Sequence, residues 1–280
     1  MNRVIACIDS SPCINALAEA AAWVAHKTGR ELVLLQVLDY YPASYHLGEI
    51  SGVIGFESNA MLLKELSELE QKQSELALDY SNNLLKHISN MIQEKYGLTT
   101  THIQEKGDFL EQSFNLLQED DFVVIGRLGE RSAEKNKTMG SNVENFIRGA
   151  RCTVMTVGED FKPPTRFIFA YELSETCQKM LKRVAKSDLL KQLQCHLLYV
   201  GDHPEILNEP AQLLRDAGFD VVMEYRYGDV ATNILDYQNL HQIQLLVMGA
   251  FSHSKIHQFF LGSVTTTIFR NTTVPLLVAK

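Results

Sequence analysis

Phe122-Val123-Val124-Ile125-Gly126 and Leu245-Leu246-Val247-Met248-Gly249 are two apolar runs that each stop on a glycine, and their pairing decides the fold. Ahead of the first stands Gly107-Asp108-Phe109, and ahead of the second Gly228-Asp229-Val230. Behind them come Gly140-Ser141 and Gly262-Ser263. The landmarks recur in one order at shifts of 121 to 123 positions, so the chain reads as a duplicated unit. Five apolar residues in a row, without alternation, fit a strand buried on both faces.

Working outward, each half opens with a strand, Val4 to Ile8 and Phe167 to Tyr171, that ends in acidic and hydroxyl residues. Asp9-Ser10-Ser11 and Glu172-Leu173-Ser174 are placed to cap the next helix, about Pro12 to His26 and Glu175 to Leu190. Apolar strands follow at Glu31 to Leu38 and Gln194 to Val200, and each half closes on a strand, Thr153 to Val157 and Pro275 to Ala279. Strands apolar along their length and alternating with helices predict an α/β fold. It has two tandem open parallel-sheet domains with helices on both faces. The expected boundaries are 1–158 for the first domain, 159–164 for a linker and 165–280 for the second. Gly158 to Pro164 breaks the pattern with charge, glycine and a proline pair.

The first half alone carries a long helical segment, about Asn59 to Tyr96, with Leu62, Leu66, Leu69, Leu76, Tyr80 and Leu84 at helical spacing. It is expected to cover core and to pack against a partner. Tyr40 to Ser58, which precedes it, reads as a packed loop or a flap over a pocket.

Composition narrows the function. A formal net charge of -8 argues against a general nucleic-acid binder, which needs a basic footprint. It leaves room for one nucleotide, since backbone N–H groups can hold a phosphate. No stretch approaches the roughly 18 apolar residues of a membrane helix, and the opening residues lack a signal-peptide pattern. Cys7, Cys13, Cys152, Cys177 and Cys195 form no CxxC pair, and Cys7, Cys152 and Cys195 fall in expected strands. Reduced, buried thiols and a cytoplasmic location are the expectation.

In an open parallel sheet, ligands sit beyond the carboxyl ends of the strands. The loop after the fourth strand is the most distinctive there. It reads Gly126-Arg127-Leu128-Gly129, ten residues, then Gly140-Ser141 in the first half. In the second it reads Gly249-Ala250-Phe251-Ser252, nine residues, then Gly262-Ser263. A glycine after a buried strand lets backbone approach a sugar or phosphate, and Gly-Ser before a helix offers free amides to an anion. The same glycines also serve as plain turns and caps. Asp108 and Asp229 read as N-caps. His253 and His257 lack a third metal ligand. Neither half has a GxxxxGK[ST] loop or a GxGxxG after its first strand, which sets aside P-loop hydrolases and Rossmann dehydrogenases.

At these residues the chain resembles the universal stress protein family in its two-domain form. The nucleotide-binding branch of that family carries G-x2-G-x9-G-[S/T] after the fourth strand and an aspartate at the end of the first. Val247-Met248-Gly249-Ala250-Phe251-Ser252-His253-Ser254, Phe260-Leu261-Gly262-Ser263-Val264-Thr265 and Thr273-Val274-Pro275-Leu276-Leu277-Val278 look like its C-terminal signature. The resemblance implies the adenine nucleotide alpha hydrolase-like fold and a stress-associated regulator holding ATP or AMP, with Mg2+ accompanying the nucleotide as an option. The residues it nominates are Gly249, Ser252, Gly262, Ser263, Val264 and Glu172, and Asp9, Gly126, Gly129, Gly140 and Ser141.

Two departures stand out. Ser252 and Glu172 replace a glycine and an aspartate in the second half, while the first-half loop is one residue longer and carries Glu130 and Glu134, which repel phosphates. The second half, keeping the loop length, is favoured for phosphates. The resemblance further implies that the closing strands of the two halves pair as an internal pseudo-dimer. Two chains could then associate through the 59–96 segment. The alternative function is a nucleotide-independent scaffold or apolar-ligand carrier using the flap and long helix. No catalytic base is marked, so at most a slow ATPase with a divalent ion on Asp9 remains on the enzymatic side.

Overall fold

A computed structural model of the chain describes residues 3–38, 56–128, 141–249 and 263–279. The first half runs β1 (Arg3–Cys7), α1 (Ile14–Thr28), β2 (Glu31–Leu38), α2 (Phe56–Tyr96), β3 (Thr100–Lys106) and α3 (Phe109–Leu116). It ends with β4 (Phe122–Gly126), α4 (Ser141–Gly149) and β5 (Thr153–Val157). The second half repeats the order with β6 (Arg166–Tyr171), α5 (Glu175–Ala185) and β7 (Gln194–Val200). A 3₁₀ turn (Pro204–Leu207) leads into α6 (Asn208–Asp216), followed by β8 (Val221–Arg226), α7 (Val230–Leu240), β9 (Leu245–Gly249), α8 (Ser263–Asn271) and β10 (Leu276–Ala279).

All ten strands form one sheet in the order β3-β2-β1-β4-β5-β10-β9-β6-β7-β8. Within each half every pairing is parallel. Val4 stands opposite Leu32 on one side and Phe122 on the other, and Ile168 opposite His196 and Leu246. The two halves meet where β5 and β10 pair antiparallel, with Leu276 opposite Thr156 and Val278 opposite Val154. The closing strands therefore pair as the resemblance implied, which makes the chain an internal pseudo-dimer.

Strand residues point alternately to the two faces, and the helices cover both. Each apolar layer crosses the junction. Val4, Trp23, Met155, Phe167 and Leu277 belong to one, and Ile5, Phe146, Val154, Ile168 and Leu276 to the other. Residues between the halves join this packing, since Phe161 is buried with its ring 5.8 Å from that of Trp23. Each buried Leu, Ile or Phe contributes about 1.5–3 kcal/mol to folding, so neither half can shed the other without exposing core.

Some local expectations need correction. α1 begins at Ile14 and runs to Thr28, where Gly29 takes the left-handed conformation (φ 64°) that closes a helix without a Cβ clash. α5 stops at Ala185, five residues early. Cys152 lies just before β5 rather than in it, although all five cysteines are buried and none forms a disulfide with another described residue. α2 is one continuous helix, but among the described side chains it is buried only from Ser81 onward. Leu69, Leu76 and Tyr80 are exposed. The residues from 39 to 55, most of the suggested flap, lie outside the described residues. Among the described residues no helix is long and apolar enough to cross a membrane.

Under the second half lies a polar cluster. His196 Nδ1 is 2.9 Å from the Tyr237 hydroxyl, Nε2 is 3.2 Å from Gln194 Oε1, and the His241 ring stacks on Tyr237 at 4.0 Å. Burial, then the neighbouring His241 and Arg166, hold His196 below its ordinary value, against a smaller opposing pull from Asp220 and Glu224. Folded His196 therefore binds a proton less readily than unfolded His196, which titrates near about 6.5. Unfolding takes up a proton below that pH, so this stability is complete above it and lost on acidification. The urea midpoint should fall between pH 7.5 and 5.5, and His196→Gln should fall less; parallel slopes for the two proteins would contradict this account.

Candidate nucleotide site

Both sets of strand carboxyl ends face loops that carry the nominated residues. In the first half β1 and β4 are neighbours, with Cys7 opposite Ile125. Asp9 Oδ1 accepts from the Ser11 amide at 3.1 Å, an Asx turn that swings the chain into α1. It does not cap the helix as expected. The N-cap is Cys13, without a side-chain capping bond. The Ser11 hydroxyl, in a residue 2% exposed, has no hydrogen-bond partner among the described residues. A buried hydroxyl without a partner costs about 1–3 kcal/mol, so it marks a place open to a further polar group.

Gly126 fits tightly beside it. A Cβ there would lie 3.1 Å from Cys13 Cβ, 3.3 Å from the Leu128 carbonyl oxygen and 3.6 Å from Ser11 Oγ. The amide after this glycine already has a protein partner. The Arg127 N–H donates to the Val157 carbonyl at 2.7 Å. Burial pushes the Cys13 thiol up, while the facing Leu128 amide pulls it down.

The Arg127 side chain is buried and leaves its own half. Its Nη1 donates to the Thr272 carbonyl and its Nη2 to the Val274 carbonyl at 2.7 Å, both just ahead of β10. Burial holds the guanidinium below its ordinary value, with Cys13 pulling it the other way. A residue in the middle of the first Gly-x-x-Gly stretch thus braces the α8–β10 connection of the second half. A second tie crosses nearby, where Glu144 on α4 pairs with Arg148 at 3.0 Å and with Arg270 on α8 at 3.6 Å.

The second half is built differently. Ser174 caps α5, its hydroxyl accepting from the Cys177 amide at 3.1 Å. The Glu172 amide donates to Cys177 Sγ at 3.4 Å and holds the turn that carries the carboxylate. Burial pushes the Cys177 thiol up to about 11; the Glu172 amide pulls it down and the Glu172 charge pushes it up. Gly249 ends β9 with more room than Gly126. A Cβ there would make only ordinary contacts of 3.6–3.7 Å with Thr176 and Cys177.

Each Gly-Ser pair falls at the start of a helix, since Ser141 opens α4 and Ser263 opens α8. The first turn of α4 holds Glu144, whereas that of α8 holds no acidic residue. Val264 is the second residue of α8. The Thr265 hydroxyl after it is fully buried, without a hydrogen-bond partner among the described residues. Asp108 and Asp229 are N-caps as expected, accepting from Glu111 N at 3.0 Å and Thr232 N at 2.9 Å. Hydrogen bonds from the Thr232 hydroxyl and amide hold the Asp229 carboxyl below its ordinary value.

Asp9, Gly126 and Ser141 thus bound the loop edge of the first half, and Glu172, Gly249, Ser263 and Val264 that of the second. Gly129, Glu130, Glu134 and Gly140, and Ser252, His253, His257 and Gly262, lie outside the described residues. Sequence reasoning missed Cys13, Arg127 and Thr265. Their roles depend on partners 145 residues away or on burial, neither of which leaves a local pattern.

The sheet of two 3-2-1-4-5 halves, with a glycine-bounded loop at each carboxyl edge, defines a tandem α/β protein of the nucleotide-fold class. The sequence profile described as the universal stress protein family matches residues 1–158 and 205–280. A universal stress protein of Synechocystis sp. is 31% identical over 288 residues, covering all of both chains. Among solved structures, a universal stress protein from Archaeoglobus fulgidus DSM 4304 matches all of this chain and 98% of its own, at TM-score 0.73 and 19% identity. A Pseudomonas aeruginosa UCBPP-PA14 protein matches all of this chain and 93% of its own, at TM-score 0.60 and 13% identity. The chain belongs to the universal stress protein family.

Truncating Arg127 would leave the two carbonyls ahead of β10 buried without their donor. Arg127→Ala should lower the free energy of urea unfolding by about 2–4 kcal/mol; a variant as stable as the parent would show that the brace carries no weight.

Proposed function

We propose that this universal stress protein binds an adenine nucleotide, ATP or AMP, and that the phosphates lie on the second half. One observation carries the choice of half. α8 opens at Ser263 with no acidic residue in its first turn and a buried Thr265 hydroxyl that has no partner among the described residues, beside a β9 end where Gly249 is less crowded than Gly126. The first amides of a helix lack internal partners, and the helix dipole adds favourable potential for an anion.

The first half is the poorer host. Its Arg127 amide serves Val157, and Glu144 sits in the first turn of α4. In this reading Gly262, Ser263 and Val264 supply amides to the phosphates, and Ser252 and Glu172 border the sugar. Asp9, Gly126, Gly129, Gly140 and Ser141 form a vestigial counterpart. Mg2+ enters only as the counter-ion of the phosphates, and no hydrolysis is required. The protein acts as a regulator whose loaded state differs from its empty one.

The test uses the full chain as purified. Heat-released nucleotide, separated by chromatography, should be found with the parent and with Gly140→Asp, and should be lost in Gly262→Asp, whose carboxylate meets the phosphates. Added ATP with Mg2+ at 100 times Kd should stabilise the emptied parent by about 2.7 kcal/mol. The reverse pattern of variants would move the site to the first half. A parent that is empty and unmoved by ATP or AMP would leave the scaffold reading in its place.

A further inference from the structure

Among the described side chains, α2 is buried only along its last turns. Ser81, Leu85, Ile88 and Ile92 are buried there. The Ser81 hydroxyl donates to Gln36 and accepts from Gln104 Nε2. Between Lys64 and Tyr80, by contrast, none of the described side chains is buried. The helix extends back to Phe56, and its stretch from Lys64 to Tyr80 is roughly 25 Å long at 1.5 Å per residue.

An apolar stripe runs along it. Leu69, Leu76 and Tyr80 are 56%, 69% and 58% exposed, and chains that stay single seldom leave large apolar groups aligned in water. Leu66, Leu69, Gln73, Leu76 and Tyr80 follow one another at alternating steps of three and four, the heptad spacing of a coiled-coil seam, and by sequence the register starts at Leu62. At about 100° per residue the stripe lies roughly 120° round the helix from the buried Ser81, Leu85, Ile88 and Ile92. One edge of it, Leu66 and Gln73, is in line with Leu84 and Met91, which rest half-buried on the core, while the exposed Leu69, Leu76 and Tyr80 turn away from that surface.

We infer that this stripe is the seam of an antiparallel coiled coil with a second copy of this chain. The flanking charges argue for that occupant and direction. Glu65 and Lys72, both exposed, occupy equivalent positions one residue before Leu66 and Gln73. Antiparallel pairing sets such positions against each other. With Leu66 packed on Leu69 of the partner subunit, Glu65 meets Lys72 of the partner subunit, and the two-fold axis repeats the pair. Parallel pairing would instead put Lys72 opposite Ala77, with no ion pair. Gln73 within the seam lowers stability and fixes register, as a polar seam residue does.

This inference does not depend on nucleotide binding. Sedimentation of the full chain should give a reversible dimer of twice the 31.6 kDa chain mass. Leu69→Glu with Leu76→Glu should weaken it at least ~30-fold while leaving the circular dichroism spectrum and the melting of the sheet domains in place. Glu65→Lys and Lys72→Glu should each weaken it, and the double reversal should restore it. A chain that stays monomeric up to ~100 µM, or a dimer indifferent to the leucine changes, would overturn the seam. Loss on the leucine changes without rescue by the double reversal would overturn the antiparallel register.

Discussion

The antiparallel ladder between β5 and β10 is the interaction on which the rest of this molecule depends. A five-stranded parallel sheet ends in two rows of unpaired backbone groups, and an exposed edge invites other chains. Here each half covers one such edge of the other, Leu277 opposite Met155 at the centre. The pairing turns two sheets into one and lets both apolar layers run through without a seam. It also fixes where the two loop edges lie, because antiparallel strands point their carboxyl ends in opposite directions.

That constraint explains why the halves have diverged. Once the closing strands pair, the turns near them become neighbours of the other half, and residues there can be recruited to hold the junction. Arg127 is the clearest case. It follows the β4 glycine, yet its guanidinium serves carbonyls ahead of β10. With its amide on Val157, the start of the first-half loop is engaged in structure. The second half kept shorter spacing, an acid-free first turn on α8 and looser packing at Gly249 than at Gly126. A duplicated protein can thus give one copy of a site to stability and keep the other for a ligand.

α2 shows the same division of labour along one helix. Its last turns bury Leu85, Ile88 and Ile92 against the first half, while the turns before them carry exposed Leu69, Leu76 and Tyr80 on another face. A single amphipathic face would serve one partner; two faces offset round the axis serve two. The second half connects β7 to β8 through the short α6 instead, so this surface belongs to the first half alone.

Read alone, the sequence determined the duplication, the parallel strands, the element order and the glycine-bounded loops. Each of these is a local pattern: an unbroken apolar run such as Phe122 to Gly126, a capping aspartate such as Asp229, a spacing between Gly249 and Gly262. It also singled out Asp9 and Ser11 but assigned them to capping, since composition does not say which amide a side chain reaches. Only the tertiary structure decided that Asp9 bonds the Ser11 amide, that the buried Ser11 hydroxyl has no partner among the described residues, and that Arg127 reaches into the other half. Those outcomes depend on which residues distant in the chain meet once the ten strands have taken their order. Local spacing carries no record of that meeting.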